Sequence, residues 1–167
     1  LLEHYGEVEV DGSLVYQLMV NPDIDITVYT DVPQLEVVAG IANQFITRHD
    51  VRGTYVSNHL DFEGRYPHHP KGVYLGLTVP IGRNKWNLDI WFMPRGAEAV
   101  MDGMAQDWYK QLSTGQKETI LQLKFELIGS REYSSSIFSA DVYRGVVLGG
   151  VSAVGALKSW LGKQKHD

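Results

Sequence analysis

From Asp23 to Thr30 apolar and polar residues alternate without a break. Ile24, Ile26 and Val28 fall on one side, and Asp23, Asp25, Thr27 and Tyr29 on the other. A period of two is that of a β-strand, whose successive side chains point to opposite faces of a sheet. One face of this strand belongs against a core. The other carries two aspartates two positions apart, with Cα atoms about 6.5–7 Å from each other. Carboxylates that close repel unless a cation or a proton stands between them. The segment therefore constrains fold and chemistry together: a sheet with one apolar face and an acidic spot on the other.

A second stretch repeats the pattern. Across residues 85–93, Trp86, Leu88, Ile90 and Phe92 share one parity, and Asn87, Asp89 and Trp91 share the other. If the two strands are neighbours, Asp23, Asp25 and Asp89 converge. Such a site, rich in oxygen and free of thiol, suits Mg²⁺ or Mn²⁺. The chain has no cysteine, which excludes thiol catalysis, cysteine-ligated zinc and disulfides. Gly12-Ser13 supplies a complementary half. Val8 and Val10 alternate with acidic residues in a short strand that ends at Gly12. A glycine there lets the backbone approach a ligand closely, and a following helix start offers amides to an anion. The Ser13 hydroxyl is a donor for a phosphate oxygen. Lys85 shares the parity of Asp89 and is the candidate cation for a triphosphate. A metal site beside a phosphate cradle would hold a nucleoside triphosphate.

The remaining pattern predicts an α/β half followed by an α half, residues 1–94 and 95–167. A short helix is expected over residues 14–20, stopped by Asn21-Pro22. Asp31 with Gln34 resembles a capping box, with Pro33 in the first turn of a helix that continues to about His49. Residues 53–60 and 72–79 read as strands, and 64–71, with two prolines, as a loop holding Arg65 and the solvated pair His68-His69. Beyond Pro94, Ala97, Val100, Met101, Met104 and Trp108 are expected on one helical face, and Leu121, Phe125 and Ile128 on another. Ser113 with Gln116 suggests a second capping box. A single last helix is expected to carry Val142, Val146, Gly149, Ala153, Leu157 and Trp160 on one face.

Gly12-Ser13, nine residues, then Asp23-Ile24-Asp25, with Asp89 in a later Asn-Leu-Asp-Ile-Trp strand, resembles the DNA polymerase beta-like nucleotidyltransferase superfamily. The resemblance runs over roughly residues 5–93 and is closest in style to its small-molecule, antibiotic-type members. It implies an α/β (α+β) fold, a nucleotidyltransferase-like mixed sheet flanked by helices, with a C-terminal helical segment. It also implies roles: Gly12 and Ser13 for the triphosphate, Asp23 and Asp25 for the metals, and Asp89 to complete the site and help deprotonate an acceptor. The expected reaction moves a nucleoside monophosphate from an NTP to a hydroxyl of a small-molecule acceptor. The alternative is a nucleotidyltransferase-like protein that binds nucleotide or regulates with little turnover.

The 167 residues carry a net charge of −5 with no concentrated basic face, so a nucleic-acid partner is not expected. The apolar run 146–157 is short, is interrupted by Gly149, Gly150 and Gly155, and falls below the ~20 residues of a spanning helix. The start, Leu1-Leu2-Glu3-His4, reads as a trimmed N-terminus without a signal peptide, and a cytoplasmic location is expected. The glycine spacing of the last helix leaves packing within the chain or a homodimer open.

Overall fold

The computed structural model describes residues 1–48, 50–60, 70–97, 104 and 107–164. Arg65, His68, His69, Val100 and Met101 lie outside them. The chain divides into two compact units, Leu1–Ala99 and Val100–Asp167.

The first unit is a five-stranded mixed sheet with helices. Its strands are β1 (Glu7–Asp11), β2 (Asp23–Thr30), β3 (Gly53–Asn58), β4 (Val73–Ile81) and β5 (Asn84–Pro94), in the order β1-β2-β5-β4-β3. Only β2 and β5 run parallel; β1 pairs antiparallel with β2, and β3–β4–β5 form an antiparallel meander. A parallel pair needs a long crossover, and here everything from α2 (Leu35–Arg48) to the β4–β5 hairpin lies between the two central strands.

The period-two pattern sorts the sheet faces as expected. Val28 of β2, Val73, Leu75 and Leu77 of β4, and Ile90 and Phe92 of β5 are buried on one face against Val38, Ile41 and Ala42 of α2. Fully burying an aliphatic or aromatic side chain of this kind is worth about 1.5–3 kcal/mol. Packing of this face against α2 commits the opposite parity, including all three aspartates, to the other side.

Several local expectations are corrected. The helix after Ser13 is a single turn, α1 (Gly12–Val15). It stops because Gln17 is left-handed (φ 61°), with Leu18 N–H donating to the Ser13 carbonyl (2.8 Å) and Gln17 N–H to that of Leu14 (3.2 Å). This pair of bonds is a Schellman ending, which closes a helix wherever a residue accepts the left-handed region. The chain thus ends α1 before Leu18, which is fully buried. Asp31 does not cap α2: its carboxylate accepts from Arg95 Nε at 2.9 Å, and the first helical bond runs from Val38 N–H to the Gln34 carbonyl. Pro33 therefore precedes the helix.

The second unit contains a 3-10 turn (Trp108–Gln111) and three helices, α3 (Thr114–Leu127), α4 (Ser139–Val147) and α5 (Val154–Gln164). The Ser113–Gln116 capping box forms, each side chain meeting the other's backbone N–H. The buried side of α3 is Ile120, Leu123, Lys124 and Leu127, while Phe125 is 76% exposed, so the expected Leu121–Phe125–Ile128 face is out of phase. The reason is Lys124. Its Nζ donates to the Tyr143 hydroxyl at 2.9 Å and lies over the Tyr143 ring, so a charged residue occupies an apolar helical position.

The expected last helix is two helices. It breaks at Gly149-Gly150, where Gly150 turns left-handed (φ 61°), and the chain folds back within the unit. Leu157 and Trp160 of α5 rest on Gly145 and Gly149, so closely that a Cβ on either glycine would overlap them. The glycine spacing is used inside the chain. Among the described residues, no helix is long and apolar enough to cross a membrane.

Candidate metal centre

The register of the two central strands builds the site. Asp25 of β2 lies directly opposite Asp89 of β5, and Asp23 lies opposite Asn87. Residues paired across a sheet share a face, so the three aspartates occupy adjoining positions on the side away from α2. Each offers one carboxylate oxygen to a group whose members all lie within 4.8 Å of one another, and all three residues are half-buried. Three negative charges at that separation repel by about 3 kcal/mol per pair at an effective dielectric of ~20. A bound cation would relieve that repulsion. All the donors are oxygen, the ligand type of Mg²⁺ and Mn²⁺, and the group could hold such an ion.

The row continues on both sides. Asp11, the last residue of β1, is opposite Asp25, and the chain then turns at Gly12 with φ +73°. A Cβ on Gly12 would fall 1.8 Å from Asp25 Oδ2 and 2.8 Å from Asp25 Cβ. No other residue fits here, because the left-handed backbone and the missing side chain are both required. Ser13 follows in the single turn of α1, so the Gly12-Ser13 corner sits immediately beside the Asp25 carboxylate. β5 begins early enough to include Lys85, which is exposed, shares the face of Asn87 and Asp89, and lies two residues from Asn87, the partner of Asp23, and four from Asp89.

On the other flank stands a residue that the spacing of aspartates did not reveal. Tyr74 of β4 donates its hydroxyl to Asp89 Oδ1 at 2.5 Å. Tyr74 is paired with Trp91 and not with Asp89, so it reaches the carboxylate diagonally, across Gly76, the residue opposite Asp89. A Cβ on Gly76 would sit 2.7 Å from the Tyr74 hydroxyl. The absent side chain is the space the phenol occupies. The Tyr74 ring is held between Tyr55 (centroids 6.1 Å) and Trp91 (5.2 Å), and Trp91 in turn packs on His59 (5.2 Å). Burial, then the hydrogen bond and charge of Asp89, with smaller contributions from Asp23 and Asp25, push the Tyr74 pKa well up. The phenol therefore stays protonated, a donor to the carboxylate. The available sequence signal was a Tyr-x-Gly in an alternating strand, which acquires meaning only once β4 is set beside β5.

No family model matches the chain, and no curated protein matches it. Solved structures do. The chain is similar to a cytoplasmic RNA terminal U-transferase, with a TM-score of 0.55 and 17% identity, over 87% of this chain and 40% of that one. It is also similar to Cid1, an RNA terminal uridylyl transferase, with a TM-score of 0.56 and 17% identity, over 84% of this chain and 40% of that one. The chain thus spans well under half the length of the structures it matches, and what it shares with them is the fold: a mixed sheet with flanking helices, of the nucleotidyltransferase type.

Proposed function

We propose that the chain carries the catalytic centre of a metal-dependent nucleotidyltransferase of the DNA polymerase beta-like superfamily. The observation that carries this reading is the convergence of Asp23, Asp25 and Asp89 from two adjacent parallel strands, against a glycine turn that tolerates no side chain. Asp23 and Asp25 hold divalent metal, with Asp89 as a further ligand. Gly12 and Ser13 would offer backbone and hydroxyl donors to the phosphates, and Lys85 a cation on the same sheet face. Bound Mg²⁺ or Mn²⁺ would neutralise the triphosphate and favour in-line displacement.

In the reaction, an acceptor hydroxyl oxygen bonds to the α-phosphorus of the NTP. The bond from that phosphorus to the bridging oxygen breaks, pyrophosphate leaves, and the hydroxyl proton passes to Asp89. The residues contribute chiefly by alignment and charge, the terms that dominate phosphoryl and nucleotidyl transfer.

The acceptor is the finer question. Both similar structures are of RNA terminal transferases, and this favours a terminal hydroxyl of an RNA strand over the small-molecule acceptor that the resemblance implied. The net charge of −5 with no basic stripe is the observation on the side of a small molecule. Extension of a labelled RNA oligonucleotide with each NTP in Mg²⁺ or Mn²⁺ separates the two. The core of the proposal is tested with Asp25→Asn, which keeps the shape and removes the charge. Nucleotidyl transfer is expected to vanish while the fold is retained; turnover at the wild-type rate would refute the assignment.

A further inference from the structure

A hydroxyl donor is aimed at Asp89 from a neighbouring strand. The donor arrives by a specific device. Tyr74 sits one pair further along the sheet, its ring is clamped between Tyr55 and Trp91, and its hydroxyl fills the space that any side chain at residue 76 would occupy. Removing that side chain carries a cost, since glycine in a strand interior has neither packing nor restricted backbone freedom to offer. The gain is one short hydrogen bond to one oxygen of one carboxylate.

We propose that Tyr74 is a positioning residue of the metal centre: seated in the gap left by Gly76, its hydroxyl holds Asp89 Oδ1 so that the carboxylate meets a divalent cation already oriented. The inference rests on the metal-site reading above and adds to it a residue outside the aspartate motif. The physical argument is that of an outer-shell partner. A ligating aspartate, free to turn about two side-chain bonds, must otherwise be ordered at the moment of binding, and a hydrogen bond to one of its oxygens restricts that freedom beforehand. Loss of such partners typically weakens metal binding 10–100-fold. Because the phenol contacts the ligand and not the substrate, the effect falls on metal affinity.

The test is titration of Mn²⁺ alone into wild type, Asp25→Asn, Tyr74→Phe and Gly76→Ala, with near-UV circular dichroism to verify the fold. Tyr74→Phe keeps the ring packing and loses only the hydroxyl, and is expected to bind Mn²⁺ about 10-fold more weakly. Gly76→Ala keeps the hydroxyl and displaces it, and is expected to weaken binding comparably. The double variant is expected to be no weaker than either single one, as for two changes that break a single interaction. If Asp25→Asn loses Mn²⁺ while Tyr74→Phe and Gly76→Ala bind it as wild type does, the role of Tyr74 is overturned and the metal centre stands. If wild type fails to bind Mn²⁺, or Asp25→Asn binds it normally, the metal centre falls and the role of Tyr74 with it. A lowered melting temperature with unchanged Mn²⁺ affinity marks Tyr74 as a packing residue and also overturns the proposal.

Discussion

Replacing Gly12 by alanine separates the two demands that the corner beside Asp25 makes on the chain. The first is backbone: φ +73° lies in the left-handed region, where a non-glycine residue is strained by about 2 kcal/mol. The second is space. The new Cβ would lie 1.8 Å from Asp25 Oδ2, 2.5 Å from Cγ and 2.8 Å from Cβ. Rotating the Asp25 side chain relieves the contacts with the carboxylate. It leaves the contact with Cβ, whose position is set by the backbone of β2, so the strand and the corner must also move apart. Overpacking of this sort costs about 2 kcal/mol more.

Gly82, in the two-residue turn between β4 and β5, is the control, since it has φ +62° and nothing within 4 Å of a Cβ. Gly82→Ala is expected to cost about 2 kcal/mol, and Gly12→Ala about 4 kcal/mol, from a total that for most domains is only ~5–15 kcal/mol. For a chain of this size that is a fall in melting temperature of about 6 °C against about 12 °C by calorimetry. Mn²⁺ binding should survive in the first variant and be lost in the second, because Asp25 is displaced. Equal melting temperatures with intact Mn²⁺ binding in both would refute the close approach of Gly12 to Asp25.

Three further outcomes follow from other parts of the molecule. Burial and the hydrogen bond to Asp89 raise the Tyr74 pKa above its ordinary value near 10, so the folded state holds that proton more tightly than the unfolded chain. The associated stability is fully present below about pH 10 and declines as pH rises above it, and denaturant melts from pH 9 to 11.5 should show a shallower decline in Tyr74→Phe. In the helical unit, Tyr143→Phe removes one hydrogen-bond acceptor of the buried Lys124 Nζ, and urea unfolding should show a loss of about 1.5–3 kcal/mol. Ser113→Ala opens the capping box of α3 and should cost about 1 kcal/mol in the same assay, with no effect on Mn²⁺ binding.

The division between what could be read along the chain and what required the folded molecule follows the range of the interactions involved. The faces of β2 and β5 were legible because a strand's period of two is a local, covalent property: Asp23, Asp25 and Asp89 had to lie opposite Ile24, Ile26 and Ile90. The Ser113–Gln116 cap was legible for the same reason, being made within one helical turn. Where local pattern and packing disagreed, packing prevailed. Helical spacing put Phe125 on an apolar face of α3 with Leu121 and Ile128, but a lysine whose amine meets a tyrosine hydroxyl can be buried, and Lys124 rotates the buried face. The stop at Gln17 and the break at Gly150 were hidden because helical periodicity persists in the sequence after the backbone has turned away.

Only the tertiary structure decided that β2 and β5 are neighbours, parallel, and in a register that sets Asp25 against Asp89. A shift of one residue would have turned Asp89 to the apolar face. Only it could set Tyr74 over Gly76, since that contact depends on the pairing of β4 with β5 and on an absent side chain, neither of which a local pattern encodes. The sequence by itself determined which groups were available to the polar face. The pairing of strands distant along the chain, governed by burial of the other face against α2, determined which of them meet.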